Sequence, residues 1–243
     1  MEISVVVPVF NEAENITPLL DEISAAMAEA DRYEIIYVDD GSTDDTPRIL
    51  TDATQQTAHL RILRHQQSCG QSTAIYTGVS AAQYNCIATL DGDGQNDPAD
   101  IPRLWQVFLQ KRQSNPALWM LAGWRTQRND SAWRRFSSTV ANSVRSRLLN
   151  DKTPDTGCGL KLFLRDKFLL LPYFDHMHRF LPALILRAGG QILSEPVNHR
   201  GRIKGFSKYG TWDRLSAGVI DLLGVIWLKK RTKYPIIETS NNK

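Results

Sequence analysis

Two carboxylates one residue apart close an apolar run in Cys86-Ile87-Ala88-Thr89-Leu90-Asp91-Gly92-Asp93-Gly94-Gln95-Asn96-Asp97-Pro98. Residues i and i+2 of an extended segment point the same way, so Asp91, Asp93 and Gln95 can present oxygens to one point beyond a strand end. Hard divalent cations, Mg²⁺ or Mn²⁺, take such ligands and usually also grip substrate phosphates. Gly92 and Gly94 let backbone and ligand approach closely. A turn rich in Asp, Gly and Asn also ends many strands without any ion. An EF-hand reading fails, because its Gly and Glu positions would fall on Asn96 and Pro102.

The flanking sequence supplies elements to position this pair. Ile3–Val9 is a β-branched run without alternation, as in a parallel strand buried on both faces, and Pro8 places its end. Asn11–Asn15 opens a helix carrying Ile16, Leu19, Leu20, Ile23 and Met27 at helical spacing. Glu34–Val38 is a second strand, ending in Asp39-Asp40-Gly41-Ser42, with Thr43 or Asp44 as the expected cap of the next helix. Leu60–Arg64 is a third strand. Gly70-Gln71-Ser72-Thr73 leads into a helix of small residues ending near Ala82. Pro98–Gln110 is helical and Ala117–Ala122 is a fifth strand. Strands alternating with helices imply an α/β fold with a mostly parallel sheet, whose ligands sit beyond the carboxyl ends of the strands. Polar clusters follow three of these strands: Phe10-Asn11-Glu12, Asp39–Ser42 and Asp91–Asp93. No glycine fingerprint for a dinucleotide and no Walker motif accompanies them.

Beyond Gly123 the chain turns basic. Trp124–Leu149 holds six arginines, with Trp133, Phe136, Val140, Val144 and Leu148 at helical spacing, which describes a basic amphipathic helix. Leu160–Leu164 is a strand or helix, Leu181–Ala188 a helix and Gln191–Asn198 a strand. His176 and His178 lie at i and i+2 before a helix, and are not read as a metal pair. His199–Lys208 is a basic, glycine-bearing loop suited to phosphate. Leu215–Leu228 is apolar but for Asp221, and Lys229-Lys230-Arg231-Thr232-Lys233 follows, as in a helix lying at a membrane interface or a core helix with a favourable basic C-terminus. Its 14 residues are short for a bilayer span.

The chain has 243 residues, enough for one large α/β domain, read as residues 1–210 with a C-terminal amphipathic helix and tail at 211–243. Three scattered cysteines form no metal-type pair and fit a reducing compartment. The N-terminus reads as a strand, not a signal peptide. A net charge of +3 without a recognition motif speaks against nucleic acid as a partner.

Taken together, Ser4–Glu12, Val38–Asp44, Asp91-Gly92-Asp93, Gly123-Trp124-Arg125, Asp155-Thr156-Gly157 and Arg202-x-x-Gly205-x-Ser207-Lys208 resemble family 2 glycosyltransferases of the GT-A fold. The later motifs are similar to the dolichol-phosphate mannose synthase group, whose bacterial relatives glycosylate polyprenyl phosphate. The resemblance implies a Rossmann-like, mostly parallel sheet flanked by helices. It implies Pro8, Phe10, Glu12, Asp39 and Asp40 around the nucleotide, and Asp91, Asp93 and Gln95 on Mg²⁺ or Mn²⁺. Arg202 and Lys208 would approach the donor phosphates, while Arg125, Arg134 and Ser138 would receive the acceptor phosphate. The implied partners are a nucleotide-sugar, GDP-mannose or a UDP-sugar, and a polyprenyl phosphate. The implied location is cytoplasmic, peripheral to the inner face of the membrane.

The chemistry is coherent on its own terms. A divalent ion neutralises the charge that develops on a diphosphate leaving group. A phosphate acceptor is already anionic and needs positioning rather than a base. A hydroxyl acceptor would need a base, and Asp155 is the candidate for that alternative. A catalytically silent nucleotide-sugar-binding scaffold is the remaining alternative.

Overall fold

The computed structural model describes residues 1–126, 145–151, 153–201, 211–231 and 233. Strands β1 (Glu2–Val9), β2 (Arg32–Asp39), β3 (Leu60–Arg64) and β4 (Cys86–Thr89) alternate with helices α1 (Ala13–Ala26), α2 (Thr46–Thr54) and α3 (Gln71–Ala81). Helix α4 (Asp100–Ser114) and strand β5 (Leu118–Arg125) follow. Then come β6 (Lys161–Leu164), the short α5 (Arg165–Phe168), α6 (Leu181–Arg187), β7 (Gln191–Val197) and α7 (Thr211–Arg231).

The seven strands lie in the order β3-β2-β1-β4-β6-β5-β7. β6 runs antiparallel to both neighbours, and the other adjacent pairs are parallel. The carboxyl ends of β1, β2, β3, β4, β5 and β7 therefore share one edge with the beginning of β6.

Burial on both faces explains the unbroken apolar runs. Ile3, Val5, Val7 and Val9 face a core completed by Ile16, Leu19, Leu20 and Ile23 of α1, Leu50 of α2 and Leu104 and Phe108 of α4. Val6, Ile36 and Val38 face a second core with Ala74, Ile75 and Val79 of α3 and Leu181, Leu184 and Ile185 of α6. Each large aliphatic side chain buried this way contributes roughly 1.5–3 kcal/mol. The small residues of α3 have a packing reason. A Cβ on Gly78 would lie 2.5 Å from Val6 Cγ1 and 3.0 Å from Val38 Cγ2, so α3 can press on the sheet and hold its N-terminus over the strand ends.

Several boundaries differ from the sequence reading. α2 begins at Thr46 with Asp45 before it, not after Thr43 or Asp44, and Asp44 Oδ1 accepts the Thr46 amide at 3.0 Å inside the preceding turn. Trp124 and Arg125 belong to β5 rather than to a helix, and residues 145–149 are helical. The remainder of that expected basic helix lies outside the described residues. α7 is longer than the expected 215–228 and is seated on the second core through Val225, which is 1% exposed. No helix among the described residues is long and apolar enough to cross a membrane.

Candidate active site

The three polar strand ends converge. Asn11 and Glu12 after β1 donate backbone amides to Ser42 Oγ (2.8 Å) and Thr46 Oγ1 (2.9 Å), and Asn11 Oδ1 accepts the Thr43 amide at 2.8 Å. Asn11 adopts a left-handed φ of 52°, which its side chain tolerates in such turns. Glu12 Oε2 accepts Asn15 Nδ2 at 2.7 Å, and Pro8 is paired with Val38 inside the sheet.

Asp39 and Asp40 are both buried and both turned inward. Asp39 Oδ1 accepts the Ser42 amide at 2.9 Å, and its Oδ2 meets Arg64 Nε at 3.1 Å. Asp40 accepts from four donors: His65 Nδ1 (2.7 Å), Ser68 Oγ (2.7 Å) and the amides of Cys69 and Gly70 (2.9 Å each). Burial alone would raise its pKa, but these hydrogen bonds outweigh burial and hold it below the usual carboxylate range. Asp40 thus fastens the loop that launches α3.

One residue further on, Gln71 Nε2 donates to Asp91 Oδ1 at 2.8 Å, linking the two acidic strand ends. The Asp91 amide donates to Asn96 Oδ1 at 3.1 Å, and Asp93 Oδ1 accepts the Gln95 amide at 3.2 Å, closing a tight turn. Gly92 is required here, since a Cβ would lie 2.5 Å from Val9 Cγ1. Gly159 is required too, since a Cβ would lie 2.3 Å from Asp91 Oδ2 and 2.6 Å from Asn96 Oδ1. Burial, and then the charge of Asp93, push the Asp91 pKa up, with Lys161, Arg125 and Gln71 opposing. Asp91 and Asp93 thus oppose each other's ionisation within one turn, and carboxylate oxygens are the donors that hard divalent cations take.

Arg125 and Asp155, given separate roles by the sequence, are partners. Arg125 Nε meets Asp155 Oδ2 at 2.6 Å and Nη2 meets Oδ1 at 2.8 Å, a largely buried two-pronged pair. Both Asp155 oxygens are thereby occupied, which disfavours a base there. Lys161, at the start of β6, is buried with Nζ donating to the Cys158 carbonyl, and burial lowers its pKa. Arg200 is likewise engaged, with Nη1 on both Glu22 oxygens (2.7 and 2.8 Å) and Nη2 on Asp97 Oδ1 (2.6 Å), while its amide donates to the Gln95 carbonyl at 3.0 Å. The base of the expected phosphate loop is therefore stitched to the acidic turn. Arg134, Ser138, Arg202 and Lys208 lie outside the described residues.

Sequence reasoning missed Gln71, His65 and Ser68, which act across 20 to 28 residues of chain. It also missed the partners of the two histidines. His178 Nδ1 lies 2.7 Å from Ser72 Oγ, and His176 Nδ1 lies 2.8 Å from Asp221 Oδ2. The two histidines thus take separate partners.

A mostly parallel sheet with acidic strand ends at one edge and an Asp-x-Asp turn beyond β4 has the architecture of a GT-A glycosyltransferase. The family model described as glycosyl transferase family 2 matches residues 4–170, and the chain belongs to that family. It is 37% identical over 243 residues to a dodecaprenyl-phosphate galacturonate synthase of Rhizobium johnstonii, covering 97% of this chain and 69% of that one. It is 32% identical over 210 residues to an undecaprenyl-phosphate 4-deoxy-4-formamido-L-arabinose transferase of Sodalis glossinidius, covering 86% of this chain and 63% of that one. The chain thus spans about two thirds of the length of these relatives. Its fold matches the Mycobacterium tuberculosis glucosyl-3-phosphoglycerate synthase in complex with Mn²⁺, UDP and phosphoglyceric acid, with a TM-score of 0.68 and 17% identity over 96% of this chain and 80% of that one. The protein is a glycosyltransferase.

Proposed function

We propose that this glycosyltransferase moves a sugar from a nucleotide-sugar to a polyprenyl phosphate, with inversion and with Mg²⁺ or Mn²⁺ as cofactor. The Asp91–Asp93 pair at the sheet edge carries the reading. The polyprenyl-phosphate acceptors in the names of the two relatives support the acceptor class. The Mn²⁺ and UDP in the structural neighbour support a divalent ion on a nucleoside diphosphate.

In this reading Asp91, Asp93 and Gln95 hold the cation, which when bound neutralises charge on the departing diphosphate. Pro8, Phe10 and Glu12 line the nucleotide pocket, and Asp39 and Asp40 give it its shape by fixing residues 42 and 65–70. Asp155 orients Arg125 toward the acceptor side, and Arg134 and Ser138 complete the phosphate site. Arg202 and Lys208 serve the donor phosphates from a loop whose base is anchored by Arg200. An acceptor phosphate is already anionic, so it attacks once aligned, and no side chain need take a proton. Asp155, engaged on both oxygens by Arg125, argues for this acceptor over a hydroxyl one.

α7 completes the proposal as a membrane-associating element of residues 211–243, beside the catalytic unit of residues 1–210. Val219, Ile220, Leu223 and Trp227 are exposed, with Ile220 at 70%, and Lys229, Lys230 and Arg231 close the helix. An apolar ridge ending in cations suits the headgroup region of an anionic leaflet, at the cytoplasmic face where nucleotide-sugars are made.

The deciding assay mixes protein, Mn²⁺ and undecaprenyl phosphate in detergent with a panel of radiolabelled nucleotide-sugars. Label passing into the organic phase with one donor is the expected result. Release of nucleotide by hydrolysis without labelled lipid would overturn the acceptor.

A further inference from the structure

Gln71 reaches Asp91 from the first residue of α3, a position that a helix normally secures with its own cap. Here the preceding residue is Gly70, with φ 90° and no side chain to bond the first turn. The restraints come from elsewhere. The Gly70 amide is held by Asp40 Oδ2 at 2.9 Å. Ser72 Oγ, 1% exposed as a residue, accepts the His178 amide at 3.2 Å and lies 2.7 Å from His178 Nδ1. Thr73 Oγ1 donates to the Cys69 carbonyl and lies 2.7 Å from the Tyr173 hydroxyl. The residues on either side of Gln71 are thus clamped, and the clamp on its C-terminal side is the segment 173–178, about a hundred residues away in the chain.

That segment is itself seated. His176, in a left-handed conformation with φ 62°, lies 2.8 Å through Nδ1 from Asp221 Oδ2 of α7. Asp175 Oδ1 accepts the His176 amide at 2.7 Å, and it lies where a Cβ on Gly70 would come within 3.2 Å.

We propose that His178 is a positioning residue for the cation site: through Ser72 it fixes the first turn of α3, and so aims Gln71 at Asp91. The inference rests on the reading of Asp91 as a cation ligand. In this proposal Ser72 Oγ accepts the His178 amide and gives its hydroxyl proton to Nδ1, so the ring carries its own proton on Nε2. Burial, with Arg179, Lys161 and His176 nearby, keeps the ring neutral, as an acceptor at Nδ1 must be. Asparagine can present a carbonyl oxygen near the place of Nδ1, and leucine cannot.

The test measures Mn²⁺ affinity by electron paramagnetic resonance at fixed UDP, without acceptor or turnover, well below the unfolding midpoint. His178→Leu is expected to weaken Mn²⁺ about tenfold, His178→Asn to restore most of it, and Gln71→Ala to weaken it by a similar factor. The double variant Q71A/H178L is expected to bind no more weakly than Q71A, because one residue acts through the other. Wild-type affinity in H178L, or additive losses in the double variant, would overturn the proposal. Should H178L fail to fold, Ser72→Ala replaces it with the same expected loss. A wild-type protein that does not bind Mn²⁺ with UDP removes the functional reading and this inference together. Wild-type binding that H178L leaves unchanged removes the inference alone.

Discussion

Two pairs of aspartates stand at neighbouring places on the same sheet edge, and the fold treats them in opposite ways. Asp40 is held ionised by four donors, and Asp39 accepts the Ser42 amide beside the Arg64 guanidinium. Asp91 is half-buried with a second carboxylate acting on it, and its pKa is pushed up. Asp40 fastens the loop that starts α3. The second pair retains an unfavourable charge that a bound cation would relieve. A carboxylate pair thus takes its role from the donors around it more than from its place in a motif.

The largest effect that would break this contrast is loss of turnover. Asp91→Ala and Asp93→Ala should each lower transfer about a thousandfold, since cation stabilisation of a leaving diphosphate is worth several kcal/mol and each 1.4 kcal/mol is tenfold. Circular dichroism should be unchanged. Full activity in either variant would place the cation elsewhere.

Asp40→Ala should act on stability. It strands buried donors, and a loss of about 3 kcal/mol in urea unfolding is expected. The pH dependence follows from the direction of the shift. A carboxylate depressed in the folded state contributes stability that is present above its unfolded pKa of about 3.9 and is lost as pH falls through the lower folded value. Wild type minus D40A should therefore shrink on acidification below about pH 4. A difference that stays constant through that range would remove Asp40 as a charged anchor.

Gly159→Ala sharpens the contrast from the other side. Its Cβ would meet Asp91 Oδ2 at 2.3 Å, and the collision falls on the cation ligand. We expect Mn²⁺ affinity to fall about tenfold. A folded variant with wild-type Mn²⁺ affinity would contradict the role given to Gly159.

The smallest effect has the opposite sign to the rest. A carboxylate whose folded pKa is raised costs stability once pH exceeds its unfolded value. Asp91→Asn should therefore raise the metal-free melting midpoint at neutral pH, by on the order of 2–4 °C per kcal/mol of relieved repulsion, and the gain should vanish near pH 3. A lower midpoint would mean that Asp91 is a scaffold carboxylate like Asp40.

Much of the architecture was legible because its causes are local. β-branched runs at Ile3–Val9 and Glu34–Val38 announce strands buried on both faces, and the spacing of Ile16, Leu19, Leu20 and Ile23 announces a helix packed on them. Asp91 and Asp93 share a direction because neighbours two apart in extended chain must. These facts depend on backbone geometry within one element, and the alternation of strands with helices then put the residues at 10–12, 39–42 and 91–93 on one edge, where the parallel pairing of β1, β2 and β4 has them.

Pairings across the chain were decided by tertiary structure. The sequence could not say that β6 runs antiparallel between β4 and β5, because the long connection after Arg125 permits either direction. It gave Arg125 and Asp155 separate roles and held no sign that the fold closes them on each other at 2.6 and 2.8 Å. It read Gln71 and Ser72 as the start of a helix, and the fold turned one toward Asp91 and the other toward His178. Periodicity reports which neighbours share a face of an element. It carries no record of which distant element will face it, and that is settled when the two cores close on either side of the sheet.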